Sequence, residues 1–136
     1  MERLPIPYLL KIIVDRIRTE ADSHLKSLDL TLTQSRVLAF IIESGGQTTQ
    51  KEIENFLQVS HPTVVGIVSR MEKNGFLTCS YERISKTVTL TDKANAAGED
   101  MVKTMAAHDA LLLKGLSESE ADELRRLLLT VYQNIS

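Results

Sequence analysis

The chain has 136 residues, of which 43% are hydrophobic, and a formal net charge of −2. This length fits one domain with a sizeable core, and the small negative charge does not by itself indicate a nucleic-acid partner. The single cysteine excludes an intramolecular disulfide and fits the reducing cytoplasm, where we expect the protein to be. No stretch approaches the roughly 20 apolar residues of a membrane span, and we expect no signal peptide and no membrane partner.

The first predicted helix begins near Pro5 or Pro7 and runs to about Ser27. Its apolar positions recur in steps of three and four over roughly 30 Å, which is a heptad-like pattern. A helix this apolar needs more than one partner surface. The residues of this stripe are Leu10, Val14, Ile17, Ala21, His24 and Leu28.

A second helix opens at a predicted capping box of Thr31 and Gln34 and ends near Ser44. We expect it to be largely buried, with Arg36 as the exception, either solvated or facing a phosphate. The apolar residues expected to be buried are Val37, Leu38, Phe40, Ile41 and Ile42.

The stretch from Thr49 to Leu90 is predicted to be a short helix, a turn, a second helix and a two-stranded hairpin. A capping box of Thr49 and Glu52 should start the short helix, whose apolar face is Ile53, Phe56 and Leu57.

The second helix of this stretch should begin after an N-cap at Ser60, with Pro62 in its first turn, and end near Asn74. Gly75 is its predicted C′ residue. The hairpin follows, with its tip at Glu82–Ser85, and Gln47-Thr48 is expected to add a third short strand.

Two further helices complete the prediction. Thr91-Asp92 should cap a helix that runs to about Gly115, and Ser117 with Glu120 forms a third capping box before the last helix. The fold class is therefore mainly α with a small β-wing. Residues 31–91 form a predicted winged helix-turn-helix DNA-binding lobe, while 1–30 and 92–136 form a predicted helical dimerisation region. A seam-like pattern in the last helix supports the latter, at Ala121, Leu124, Leu128, Val131 and Ile135.

Three sequence runs, GIVSRMEKNGF, KTVTLTDKA and DLTLTQSRVLAFI, resemble the MarR family of bacterial transcription regulators. The resemblance extends from about Leu10 to the end of the chain. It implies a homodimer that binds double-stranded DNA and is often released by a small ligand or an oxidant. The chain departs from the family in its wing, where Glu82-Arg83-Ile84 replaces a longer tip with an Asp-Arg-Arg-like run. Arg83 is therefore the first wing candidate and Lys86 the second.

A helix-turn-helix places its second helix in the major groove, with its N-terminal residues nearest the base edges. Between Val59 and Lys86, four basic residues stand against two acidic ones, so this stretch is more positive than the chain as a whole. A glycine at position 66, in the middle of a helix, lowers the stability of that helix. Either a bulky partner approaches the backbone there, or a neighbouring helix packs there, or the glycine is simply tolerated. The predicted DNA-binding residues are Gln50, Lys51, Ser60, His61, Pro62, Thr63, Gly66, Arg70, Lys73, Arg83 and Lys86.

The sequence also contains candidate sensing residues. His24 is either a hydrogen-bonded residue at an interface edge or, as the family resemblance suggests, a lining residue of an effector crevice. His24, His108 and Asp109 are too few for a tetrahedral zinc site, so neither a metal nor another cofactor is expected. Cys79 alternates in phase with Leu77 and Tyr81, which favours an inert, packed strand face over an oxidation sensor.

No enzyme motif is present in the sequence, and we expect no enzymatic activity. The favoured function is a homodimeric repressor of a pseudo-palindromic operator, relieved by a small effector. One alternative is a winged-helix protein-interaction module without specific DNA binding, suggested by the acidic balance and the arginine-poor wing. Another is a metal- or redox-responsive regulator.

Overall fold

In the computed structural model, residues 3–82 and 84–136 are described. Within these residues the chain forms six helices and three strands. They follow the order α1 (Ile6–Ser27), α2 (Leu32–Glu43), β1 (Gln47–Thr49), α3 (Gln50–Leu57), α4 (His61–Lys73), β2 (Leu77–Glu82), β3 (Ser85–Leu90), α5 (Asp92–Leu112) and α6 (Glu118–Ile135). One compact unit extends to Met101 and the other comprises Val102–Ser136. The mainly helical class with a small sheet agrees with the prediction.

Capping boxes were predicted at the starts of α2, α3 and α6. At α2, Thr31 Oγ1 accepts from the Gln34 backbone N–H while the Thr31 N–H donates to Gln34 Oε1, each at 3.1 Å. The Ser117 box of α6 is also formed, at 2.9 and 3.1 Å, and the bonds from Ser117 lower the pKa of the Glu120 carboxyl. These two predicted boxes are confirmed.

The third predicted box, at the start of α3, is only half formed. Thr49 Oγ1 accepts from the Glu52 backbone N–H at 3.2 Å, as expected. The Glu52 carboxylate, however, accepts from the Thr48 hydroxyl instead of the N-cap backbone. The reason is that β1 ends immediately before α3, so its hydroxyl competes for the carboxylate.

The three strands form one antiparallel sheet in the order β1-β3-β2. The hairpin register pairs Leu77 with Leu90 at one end and Glu82 with Ser85 at the other. The predicted tip, Glu82–Ser85, is therefore too long, because both of its end residues are paired strand residues. Helix α5 is also shorter than predicted, since it ends at Leu112 and not near Gly115.

The core of the first unit lies between α2, α3, α4 and the sheet. Its largest fully buried side chains are Phe76, Leu38, Ile41, Ile53, Met71, Leu77, Val37, Val64, Val68 and Val88. Three apolar residues that were expected to be packed are instead exposed: Ile42, Phe56 and Tyr81. Phe56 is stabilised at the surface, since its ring stacks on Phe40 with centroids 4.5 Å apart.

A corner at Gly75 joins α4 to the sheet. The Phe76 N–H donates to the Met71 carbonyl at 2.9 Å and the Gly75 N–H donates to the Glu72 carbonyl at 3.0 Å, which together make a Schellman motif. Gly75 has φ +84°, a left-handed conformation that favours glycine, as the sequence predicted.

Two residues at the start of α5 secure this corner. The Thr91 hydroxyl donates to the Gly75 carbonyl at 2.6 Å and also accepts from the Ala94 N–H at 3.2 Å, so it caps α5 as predicted. Lys93 Nζ donates to the Asn74 carbonyl at 2.6 Å and lies 4.5 Å from the centroid of the Phe76 ring. One hydroxyl and one ammonium therefore satisfy carbonyls left free at the end of α4.

The second unit exposes most of its apolar residues. Of the residues of α6, all described, only Ala121 is buried. Arg125 and Asp109 form an ion pair at 2.8 Å. None of the helices in the described part of the chain is both long and apolar enough to cross a bilayer. The exposed large apolar residues of α6 are Leu127, Leu128, Leu129, Val131, Tyr132 and Ile135.

Replacing Thr91 by valine should lower the free energy of unfolding by about 1–2 kcal/mol, because both the cap of α5 and the tie to Gly75 are lost. Urea denaturation followed by circular dichroism measures this. Thr78→Val, at an exposed position of β2, is the matched control and should change stability by less than about 0.5 kcal/mol. Equal effects of the two substitutions would contradict the role assigned to Thr91.

Candidate nucleic-acid interface

The N-terminal half of α4 is exposed between two grooves of the first unit. The wing-side groove, of about 600 Å³, is lined by residues that include Lys51, Glu54, His61, Val65, Tyr81 and Lys86. The α2-side groove, of about 460 Å³, is lined by residues that include Thr31, Thr33, Arg36, Thr63, Ile67 and Arg70. Because α4 contributes to both grooves, its first two turns form the ridge between them.

The first turn of α4 is held by hydroxyl groups. Ser60 has extended backbone angles and its Oγ accepts from the Thr63 N–H at 3.4 Å. The same Oγ lies 2.8 Å from Thr63 Oγ1, and either hydroxyl can donate. Pro62 occupies the first turn, where its missing N–H leaves no intrahelical bond unmade. Val64, Ile67, Val68 and Met71 bury the opposite face, as predicted, so the exposed face has a fixed direction.

The wing-side groove combines two cations with one carboxylate. The His61 Nδ1 atom is hydrogen-bonded to Glu54 Oε1 of α3. Lys86 Nζ lies 5.7 Å from the centroid of the Tyr81 ring, its partner across the hairpin. Lys51 is exposed in the first turn of α3. The groove therefore presents an imidazole ring with a lysine on each of two neighbouring elements.

The α2-side groove carries two guanidinium groups and exposed hydroxyls. Arg70 comes from α4 and Arg36 from α2. The Arg36 guanidinium carbon lies 5.8 Å from the centroid of the Phe56 ring, which is itself stacked on Phe40. The prediction left Arg36 between solvent and a phosphate contact and did not include it in the DNA-binding set. Its place in the same groove as Arg70 depends on how α2 and α4 pack on the two sides of α3, which no local pattern reveals.

The exposed residues of α4 are His61, Pro62, Thr63, Ser69, Arg70, Glu72 and Lys73. A methyl group at Gly66 would meet only the Arg70 side chain, at 3.5 Å, apart from its own helix backbone. A packed neighbouring helix therefore does not explain this glycine. Lys73 ends α4, roughly 18 Å along the helix axis from His61.

Two of the predicted DNA contacts, Gln50 and Arg83, belong to the margins of the interface. Gln50 is 7% exposed, and its Oε1 has no hydrogen-bond partner among the described residues, so little of its side chain is available to a phosphate. Arg83, the first wing candidate, lies outside the described residues. Ile84, beside it, is fully exposed.

The candidate sensing residues have defined surroundings. His24 Nε2 lies 3.7 Å from Asp100 Oδ2, which joins α1 to α5. Burial and the neighbouring Glu72 carboxylate raise the pKa of the Cys79 thiol to about 11, the direction opposite to that of a reactive thiolate. Across residues 3–82 and 84–136, no group of three or more His, Cys, Asp or Glu side chains could hold a metal ion.

Comparisons with known proteins agree with this geometry. Residues 28–79 match the model of the MarR family. Among solved structures, the chain is similar to MepR of Staphylococcus aureus, a transcription regulator of the multidrug efflux pump MepA. The TM-score is 0.84 with 22% identity over 98% of this chain and 100% of that one. A MepR–DNA complex gives a TM-score of 0.72 with 21% identity over 98% of this chain and 100% of that one.

A MarR family protein from Bacillus stearothermophilus has a TM-score of 0.77 and 22% identity, covering 96% of this chain and 92% of that one. The matched family consists of transcription regulators and not enzymes, in agreement with the sequence prediction. Residues 28–79 thus match the MarR family in sequence, and the chain shares the fold of MepR and of the Bacillus stearothermophilus protein over nearly its whole length.

Proposed function

We propose that the protein is a homodimeric transcription regulator that binds double-stranded DNA through α4, most simply as a repressor of a pseudo-palindromic operator. The observation that carries this proposal is the exposed first half of α4 between two grooves, each with two cationic side chains. A helix in the major groove is flanked by the two phosphate backbones, so cations on both sides of the helix suit that position. MepR, a protein of the same fold, has been crystallised with DNA.

Base reading and phosphate binding would be divided along α4. His61, Pro62, Thr63 and Gly66 belong to its first two turns, where a recognition helix contacts base edges. The cations flank this segment or follow it, and would fix the register of the protein by contacting phosphates. They are Lys51 and Lys86 in the wing-side groove, Arg36 and Arg70 in the α2-side groove, and Lys73 at the end of α4.

Dimerisation would use the helices outside the winged lobe, residues 1–30 and 92–136. In α1, Ile6, Tyr8 and Ile13 are each 45% or more exposed, and α6 has six exposed large apolar residues. Apolar surface of this extent on a folded chain marks an interface. A two-fold dimer would present two α4 helices about 34 Å apart, one turn of DNA.

Regulation by a small effector would act on the relative populations of dimers that fit the operator and dimers that do not. An effector shifts this equilibrium only by its differential affinity for the two forms. The His24–Asp100 pair joins α1 of the proposed dimerisation region to α5, which starts directly after the winged lobe. A ligand that engages this pair would therefore contact two helices of the proposed dimerisation region, one of which continues directly from the winged lobe.

DNA binding should be specific and steeply salt-dependent. Fluorescence anisotropy with a duplex from the region upstream of the gene, titrated at two salt concentrations with random duplex as competitor, tests this directly. Arg70→Ala should weaken binding to all sequences alike and reduce the salt slope by about 1, whereas Thr63→Val should change the sequence preference. Arg16→Ala removes the same charge from α1 and is the control. Absence of binding at low salt would refute the proposal and favour a protein-interaction module.

Gly66→Ala should have opposite effects on the stability of the protein and on its affinity for DNA. In the free protein it should raise the free energy of unfolding by about 1 kcal/mol, because the new methyl group meets only Arg70 at ordinary contact distance. Operator affinity should fall at least roughly tenfold if DNA approaches the backbone here. Thermal denaturation and anisotropy measure the two effects. Ser23→Ala, a helix-favouring change in α1, should leave affinity unchanged, and unchanged affinity in Gly66→Ala would indicate that the glycine is merely tolerated.

Sedimentation equilibrium should give twice the 15.2 kDa mass of the chain. Leu128→Glu places a charge on the exposed apolar face of α6, so it should shift the equilibrium toward monomer and weaken operator binding. Gln133→Glu adds the same charge at an exposed polar position of the same helix and should do neither. A monomeric wild type at micromolar concentration would contradict the proposed dimer.

A further inference from the structure

The hydrogen bond between His61 and Glu54 bears on which imidazole nitrogen of His61 carries the proton. His61 is the first residue of α4, and its side chain is 67% exposed. Glu54 belongs to α3 and its side chain is only 13% exposed. The carboxylate therefore lies behind the imidazole, on the protein side, and the rest of the ring faces outward.

An ionised carboxylate can only accept hydrogen bonds, so the nitrogen that faces it must carry a proton. That nitrogen is Nδ1. In a neutral imidazole the other nitrogen, Nε2, is then an acceptor. A carboxylate that fixes the tautomer of a histidine in this way is familiar from metal sites, where it sets which nitrogen is free to bind.

We propose that Glu54 is a positioning residue that holds His61 in the Nδ1–H tautomer, so that Nε2 reads a cytosine or adenine in the major groove. In that groove, cytosine N4 and adenine N6 offer donors, whereas guanine N7 and O6 and thymine O4 are acceptors. An acceptor at Nε2 can therefore bond to the amino group of cytosine or adenine, but not to the acceptor atoms of guanine or thymine. This inference rests on the DNA-binding function proposed above and adds the base class that His61 recognises.

The pH of the test follows from the protonation of the His61 imidazole and from the charged groups around it. The charged and titratable groups that line the same groove are Glu54 and Lys51 of α3, Tyr81 of β2 and Lys86 of β3. A protonated imidazole donates from both nitrogens and would favour guanine instead. The measurements therefore belong at pH 8, above the range in which histidines ordinarily titrate.

The first measurement is the ¹⁵N spectrum of the imidazole rings in the full-length protein, assigned with His61→Ala. Long-range ¹H–¹⁵N correlation distinguishes the two tautomers, because the protonated and unprotonated nitrogens resonate far apart. Wild type should show Nδ1 protonated and Nε2 unprotonated for His61. Glu54→Met, which has similar length but no carboxylate, should lose this pattern. Glu52→Met removes the same charge from the same helix and should keep it.

The second measurement is selection of binding sites from a random duplex library at pH 8. Wild type and Glu52→Met should prefer cytosine or adenine at one position of each half-site, by about fivefold over guanine, the worth of one hydrogen bond. His61→Ala and Glu54→Met should lose the preference at that position and keep it elsewhere.

An Nε2–H tautomer in wild type, or an unaltered preference in Glu54→Met, would overturn the inference. If instead the proposed DNA-binding function is wrong, neither the wild type nor any variant should enrich any sequence from the library.

Discussion

The corner at Gly75 is the constraint on which the wing side of the proposed DNA-binding surface depends. A left-handed glycine ends α4, sends the chain into β2 and lets the start of α5 bind to the same turn through Thr91 and Lys93. Three elements thus meet within one turn of backbone. The angle between α4 and the hairpin follows from local hydrogen bonds, and it sets the shape of the wing-side groove, which α4 and the hairpin line together.

Charge is distributed unevenly in a chain that is slightly acidic overall. The two grooves gather Lys51, Lys86, Arg36 and Arg70 around the start of α4. Net charge governs long-range attraction, but contact with phosphates depends on cations placed where the backbone of DNA would run. A chain with a formal charge of −2 is therefore compatible with DNA binding, as long as its cations converge on one face.

Local sequence patterns predicted the helices and strands of this fold well. The predictions failed where side chains from different elements contact each other. Two capping boxes, the Gly75 turn and the buried face of α4 follow from residues within four positions of each other. The third box failed because a hydroxyl from β1 competed for Glu52. Arg36 beside Arg70, and Glu54 behind His61, arise from tertiary packing, so the sequence pattern identified only one member of each pair as a candidate. The positions expected to touch DNA stay predictions until binding is measured.

The sparse burial of α6 has a consequence for the life of the protein in a cell. Isolated helices of this length are marginal in water, and α6 has one buried residue to hold it. A chain without a partner would fray at its C-terminus and expose six large apolar side chains to proteases and chaperones. If the chain forms the proposed dimer, unassembled chains would be degraded faster than assembled ones, and turnover itself would keep the pool of protein in its paired form.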